Sequence, residues 1–73
     1  MPKRDETLLL LYATSGPVPV ASLISWTEYS NPSVYRNGIL TPMHKQRLIE
    51  FDAPTDTVEL LPPGVAEVEE RLL

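Results

Sequence analysis

The chain has no cysteine, a single histidine, and three glycines that stand alone at Gly16, Gly38 and Gly64. The lack of cysteine excludes disulfides and thiolate metal sites. Isolated glycines cannot form a phosphate-cradling loop, and no serine lies between two glycines as in a nucleophile elbow. His44 has no second ligand at a useful spacing. We therefore expect no enzyme, no cofactor and no metal site.

Long hydrophobic runs are also missing. The longest run, from Leu8 to Ala13, is much shorter than the roughly 18 residues that a membrane span needs. It follows Lys3 and Arg4, but acids intervene and no small-residue cleavage pattern follows, so we expect no signal peptide. The sequence predicts a cytoplasmic protein without a membrane partner.

At 73 residues, 42% of them hydrophobic, the chain is expected to fold as one domain over residues 1–73. So short a chain buries only about 60% of its unfolded surface, and a partner subunit would add to its stability.

Positive charge is scarce, with six Lys and Arg against ten Asp and Glu, for a net charge of -4. Residues 1–49 hold five of the cations and three acids, whereas residues 50–73 hold one cation and seven acids. No acid lies between Tyr29 and Ile49. Because a polyanion requires a positive surface, this window is where such a partner would bind.

Capping and turn signals divide the chain into short elements. We expect a first helix that is capped by Asp5 and ends at residues 15–17, an extended piece at residues 17–20, and a second helix over residues 20–27. Trp26 and Phe51 are expected in the core, as the large fillers of a small domain.

A third helix is expected from Pro32 to about Gln46, with Asn31 as its cap. Its core stripe is expected to be Tyr35, Ile39 and Met43, spaced four apart. Gly38 and Pro42 both weaken a helix, so either a kink or a break into a separate short helix starting at Thr41 and Pro42 is expected.

Two strands are expected at residues 47–52 and 57–61, joined by a turn at residues 53–56. Pro62, Pro63 and Gly64 are expected to end the second strand. A last helix should then run from Val65 to Leu72, with Glu67 and Arg71 four apart on its outer side.

Three helices, a two-stranded hairpin and a last helix resemble the winged-helix DNA-binding family. Residues 33–50 are similar to its recognition helix entering the first wing strand, and residues 58–64 to the strand-to-helix exit of many bacterial and archaeal repressors. The resemblance implies an α+β, mostly α fold and a role in transcription regulation. Gly38, Pro42 and Pro62 depart from the family pattern, as does an acidic wing tip.

In helix-turn-helix docking, the second helix of the pair enters the major groove and presents side chains to base edges. With the expected stripe facing inward, the base-reading side chains would be Ser33, Asn37, Thr41 and His44, flanked by Arg36. Phosphate contacts would come from Lys45, Arg47, Lys3 and Arg4, about three to five per chain. Double-stranded DNA is the expected partner, provided that the acids of residues 50–73 lie away from Arg36 and Lys45.

A homodimer is expected, since two copies would double the DNA contacts. Its candidate interface residues are Leu8, Leu11, Val68, Leu72 and Leu73, and their alternative role is in the core of one chain. A second hypothesis for the whole protein is a winged-helix interaction module that does not bind DNA, with an acidic wing and last helix that dock on a basic protein partner.

Overall fold

In the computed structural model, which describes all 73 residues, the chain forms four helices and a three-stranded antiparallel sheet. The elements in chain order are α1 (Lys3–Ala13), β1 (Val18–Pro19), α2 (Val20–Thr27), α3 (residues 32–45), β2 (Ile49–Asp52), β3 (Thr57–Leu60) and α4 (residues 62–72). The expected α+β, mostly helical class is confirmed.

The central strand of the sheet is β3, in the order β1-β3-β2. The β2–β3 hairpin pairs Ile49 with Leu60 at its base, and residues 53–56 form the expected turn. The extended piece after α1 also joins the sheet, with Val18 opposite Val58. The sequence predicted that piece as extended but not as a third strand.

The start of α1 differs from the expectation. The helix begins at Lys3 with Pro2 as its N-cap, and no side chain caps it, so the predicted cap at Asp5 is wrong. Asp5 instead lies in the first turn, together with Glu6. Negative charge is favourable there because the amide end of a helix carries a partial positive charge.

The start of α3 is as expected. The Asn31 side chain accepts a hydrogen bond from the Val34 amide at 3.1 Å, and Pro32 occupies the first helical turn. The helix then continues past Pro42 without a break. It passes through three consecutive segments, an α-helical turn (Pro32–Val34), a π-helical stretch (Tyr35–Leu40) and a second α-helical stretch (Thr41–Lys45).

The π-helical stretch accommodates Pro42, which has no amide hydrogen to donate to a carbonyl in the preceding turn. The Thr41 amide bonds five residues back, to the Arg36 carbonyl. The Thr41 hydroxyl donates to the same carbonyl at 3.0 Å. The helix therefore widens before the proline instead of breaking at it.

The wider turn also changes which side chain is buried. A π turn contains one more residue than an α turn, so the next inward position falls five residues after Tyr35 rather than four. Leu40 is accordingly 0% exposed, whereas Ile39 is only half-buried. The core stripe of α3 is Tyr35, Leu40 and Met43, and the expectation was wrong at Ile39.

Tyr35 fixes α3 to α1. Its buried hydroxyl lies 2.6 Å from the Thr7 hydroxyl, which itself donates to the Lys3 carbonyl at 2.8 Å. Tyr35 therefore donates to Thr7. Burial raises the pKa of Tyr35, so the phenol stays neutral at physiological pH. The Tyr29 ring packs on it with the ring centroids 5.2 Å apart.

Trp26 is not part of the core, contrary to the expectation. Its side chain is 50% exposed, while the smaller Val20 and Leu23 of α2 are fully buried. Phe51 is half-buried and packs against the core, so it matches the expectation in part.

The last helix, α4, begins at Pro62 instead of Val65, because a proline fits the first turn of a helix, where no amide is needed. The following Gly64 is buried, and a Cβ at that position would overlap the Leu48 carbonyl. Because glycine has no Cβ, the start of α4 can pack directly against the backbone of Leu48, just before β2. The expected contact between Glu67 and Arg71 is present.

Candidate functional site

The exposed side of α3, called here the α3 face, has no acidic residue and is the strongest candidate for a binding surface. Its exposed members are Pro32, Ser33, Val34, Asn37, Gly38, Pro42 and Lys45, and the exposed Gln46 and Arg47, which directly follow the helix, are counted with them. Ser33, Asn37 and Lys45 lie where the sequence predicted them. Pro32, Val34, Gly38, Pro42 and Gln46 were not among the predicted contact residues.

Thr41 and His44 are half-buried and bonded within the chain, and only the Nε2 of His44 stays without a partner. The Thr41 hydroxyl is used on the Arg36 carbonyl. The His44 Nδ1 accepts a hydrogen bond from the Phe51 amide at 3.2 Å, which ties α3 to β2. Since Nδ1 is the acceptor, a neutral His44 carries its proton on Nε2.

Arg36 is bound to the turn of the hairpin. Its Nε lies 3.1 Å from Asp56 Oδ1 and its Nη2 lies 2.6 Å from Asp56 Oδ2, a two-point pairing of guanidinium and carboxylate. The expectation that the acids of residues 50–73 lie away from Arg36 is therefore wrong. No sequence pattern signals this pair, because the two residues are 20 positions apart.

The pairing shifts the pKa values of both side chains in the direction that favours their charged forms. Hydrogen bonds from Arg36, more than its charge, hold the pKa of Asp56 below its ordinary value. The hydrogen bonds to Asp56 raise the pKa of Arg36 further above an already high value. Both groups are charged at physiological pH, and within this pair their charges cancel toward solvent.

Lys45 and Arg47 lie at the opposite end of α3 and differ from Arg36 in having no partner. Both are exposed, and the ion pairs of the chain involve neither of them. No carboxylate lies within ion-pair distance of Lys45. These two cations carry the net positive charge of the α3 face.

Arg47 also has an unusual backbone. The Arg47 amide bonds to the His44 carbonyl and the Leu48 amide to the Met43 carbonyl, the hydrogen-bond pattern that ends many helices. This pattern places Arg47 at φ +64°, a left-handed position where glycine is usual. An arginine there costs about 1 kcal/mol of strain.

The two N-terminal cations are already paired, and Arg4 lies close to the same end of α3. Arg4 contacts Asp5 at 3.2 Å and reaches Gln46 of the α3 face at 3.5 Å. Lys3 donates to the Thr27 carbonyl and lies 3.7 Å from Glu6. Arg4 thus borders the site, and its charge is offset by its neighbour.

The expected dimer residues divide into two groups. Leu8, Leu11 and Val68 are buried in the core of the single chain, so the intramolecular alternative accounts for them. Leu72 is half-buried against that core, and Leu73 is 74% exposed. Of the predicted interface residues, only Leu72 and Leu73 have exposed surface that a second chain could contact.

No pocket opens on the surface, and no three His, Asp or Glu side chains are grouped as metal ligands. Comparisons with protein-family models, curated proteins and solved structures gave no match to this chain. None of the helices has the length and apolar character that crossing a bilayer requires.

Proposed function

We propose that the chain is a winged-helix domain that binds double-stranded DNA by inserting α3 into the major groove. The order α1-β1-α2-α3-β2-β3, with β3 in the centre of the sheet, supports the winged-helix assignment. α2 and α3 would be the helix-turn-helix pair, joined through residues 28–31, and the β2–β3 hairpin would be the wing.

The observation that carries this proposal is the composition of the α3 face. A helix that reads a groove needs exposed hydrogen-bonding and apolar groups toward its N-terminal end and cations that reach phosphates. Ser33, Val34 and Asn37 supply the former, and Lys45 and Arg47 supply the latter. No carboxylate on α3 opposes them.

Arg47 adds a second unpaired cation at this end. Its left-handed backbone is shared by Glu28 and Asp56, so the conformation alone does not mark a functional residue. Glycine would relieve the strain at this helix end, and arginine supplies instead an exposed, unpaired guanidinium beside Lys45.

The number of free cations sets the strength of binding. Since Arg36 is held by Asp56, two unpaired cations remain per chain instead of the three to five expected from the sequence. Neutralising two phosphates gives a salt slope of about -2 in log K against log[salt], and non-specific affinity near the weak limit of about 10⁻⁴ M. Two copies would double the contacts, and we propose that Leu72 and Leu73 belong to a homodimer surface.

The test is a fluorescence-anisotropy titration of a labelled mixed-sequence duplex with the protein, repeated over a series of salt concentrations. We expect saturable binding at low salt with a slope of about -2 per chain bound. Absence of binding at the lowest salt would contradict the proposal. Sedimentation of the protein alone measures the oligomer, and a Leu73→Asp variant should shift a dimer toward monomer.

Trp26 favours a second candidate, a protein-interaction module. The Trp26 side chain is 50% exposed, and tryptophan is among the residues enriched at the centres of protein interfaces. The unpaired acids of residues 50–73 would then face a basic partner. Because Trp26 is the single tryptophan, its emission reports directly on burial. A blue shift with a basic protein but not with DNA would favour this candidate.

A further inference from the structure

The half of α3 that would face the base pairs lacks an available arginine, and this carries an inference about sequence preference that rests on the proposed DNA binding. The N-terminal residues of a recognition helix contact base edges. Arg36 is the sole arginine in that half of α3, and both its Nε and its Nη2 are engaged by Asp56. Guanine is read chiefly by arginine or lysine through its N7 and O6.

The exposed groups that remain in this half match the other base pair. Asn37 is exposed, and an asparagine amide can bond adenine at N6 and N7 together. Val34 is 48% exposed, and its methyl groups suit the C5-methyl group of thymine.

Gly38 leaves room for this approach. It lies one turn beyond Val34, and a Cβ placed on it would meet only the Val34 Cγ1, at 3.9 Å. Its φ is not in the left-handed region, so the fold does not require glycine here. The absence of a side chain leaves the helix surface low between Val34 and Asn37, where a base edge would lie.

We infer that the α3 face selects A·T over G·C base pairs, with Asn37 on adenine and Val34 on the thymine methyl group, because the wing residue Asp56 withholds Arg36 from guanine. Asp56 thereby acts as a specificity-determining residue although it lies on the wing and touches no base.

The experiment compares two duplexes of equal length and charge, one containing A·T pairs alone and one containing G·C pairs alone, by anisotropy at low salt. We expect about tenfold tighter binding to the A·T duplex, the discrimination of roughly one good bidentate contact. Replacing adenine by 7-deazaadenine and thymine by uracil removes N7 and the methyl group from the major groove, and should abolish most of the difference.

Two variants assign the effect to residues. Asn37→Ala should weaken A·T binding and leave G·C binding unchanged. Asp56→Asn should strengthen G·C binding several-fold by releasing Arg36, and asparagine tolerates the left-handed φ of +55° at this position. Asp52→Asn is the matched control, since it removes the same charge from a hairpin residue that pairs with no arginine, and should leave the ratio unchanged. Thermal melts establish that each variant is folded.

The outcomes separate the inference from the proposed function. If neither duplex binds, the proposed function is overturned and the base preference with it. If both bind equally, or G·C binds more tightly, DNA binding stands and the inference is overturned. An A·T preference that survives the base analogues would come from the minor groove or from DNA shape, and would likewise overturn it.

Discussion

The two ends of α3 carry cations in opposite situations. Arg36, near the N-terminal end, is held at two points by Asp56 of the hairpin turn. Lys45 and Arg47, at the C-terminal end, are exposed and have no ion-pair partner. A charge count along the sequence treats all three alike, although only two contribute to the field that a phosphate would meet.

The difference arises from what each end packs against. The hairpin turn lies beside the first turns of α3, so a carboxylate from the acid-rich part of the chain reaches Arg36. The far end of α3 leads directly into β2, whose Glu50 lies 3.9 Å from His44 and forms an ion pair with neither Lys45 nor Arg47. The positive charge near the N-terminal end of α3 is therefore neutralised by a carboxylate, whereas the C-terminal end keeps its positive charge.

The largest expected effect comes from removing the positive end. We expect Lys45→Ala with Arg47→Ala to lower the affinity for a mixed-sequence duplex about tenfold or more and to reduce the salt slope by about two. Arg71→Ala is the control, because it removes a cation that Glu67 and Asp5 already neutralise. Equal losses in the two proteins would show that location on the α3 face does not matter.

The next effect separates the charge of Arg47 from its strain. Arg47→Gly should raise the free energy of unfolding in urea by about 1 kcal/mol, because glycine adopts the left-handed conformation without cost, and should weaken DNA binding. Glu28→Gly is matched to it, since Glu28 ends α2 at φ +56°. That variant should be stabilised similarly without losing DNA affinity. The comparison fails if Arg47→Gly binds as well as the parent protein.

A smaller effect is expected at the reading end. Gly38→Ala should stabilise the protein by about 0.5–1 kcal/mol, because alanine favours a helix and its Cβ makes only an ordinary contact with the Val34 Cγ1 at 3.9 Å. The same methyl group should weaken DNA binding by obstructing the base edges. Gly16→Ala is the contrast, since its φ of +81° makes any side chain destabilising there. Denaturation and anisotropy together decide, and an unchanged DNA affinity in Gly38→Ala would place the bases elsewhere.

The smallest effect is the pH dependence of the Arg36–Asp56 pair. Because the pKa of Asp56 is lowered in the folded protein, the pair stabilises the fold above the ordinary value of 3.8 and loses this contribution as the pH falls through the lower folded value. Both side chains are partly exposed, so we expect about 0.5 kcal/mol. Asp56→Asn should remove that part of the acid-induced loss of stability. An acid profile identical to that of the parent protein would contradict the pairing.

The sequence predicted the order of the elements well, because the signals are local. Asn31 and Pro32 mark the start of α3, the turn at residues 53–56 separates two alternating strands, and α2 was placed at its observed ends. The two errors at helix starts both involve proline. At α1 the N-cap is Pro2 and not Asp5, and α4 begins at Pro62, which was expected to lie outside the helix.

The candidate site was less predictable because its features are not local. The π turn before Pro42 placed Leu40 in the core instead of Ile39, and it depends on hydrogen bonds that residue spacing does not reveal. Trp26 is exposed, whereas the buried positions of α2 are Val20, Leu23 and Thr27. The partner of Arg36 lies 20 residues away. The sequence predicted that the polar side chains of Ser33, Asn37 and Lys45 are exposed. It did not predict which cations lack an ion-pair partner.

The most direct measurement is an amide chemical-shift titration of the ¹⁵N-labelled protein with a duplex at low salt. We expect the largest shifts at residues 33–38 and 44–47, with small shifts in α4. Shifts confined to α4 or to the outer strands, or no shift at a duplex excess, would contradict binding by the α3 face.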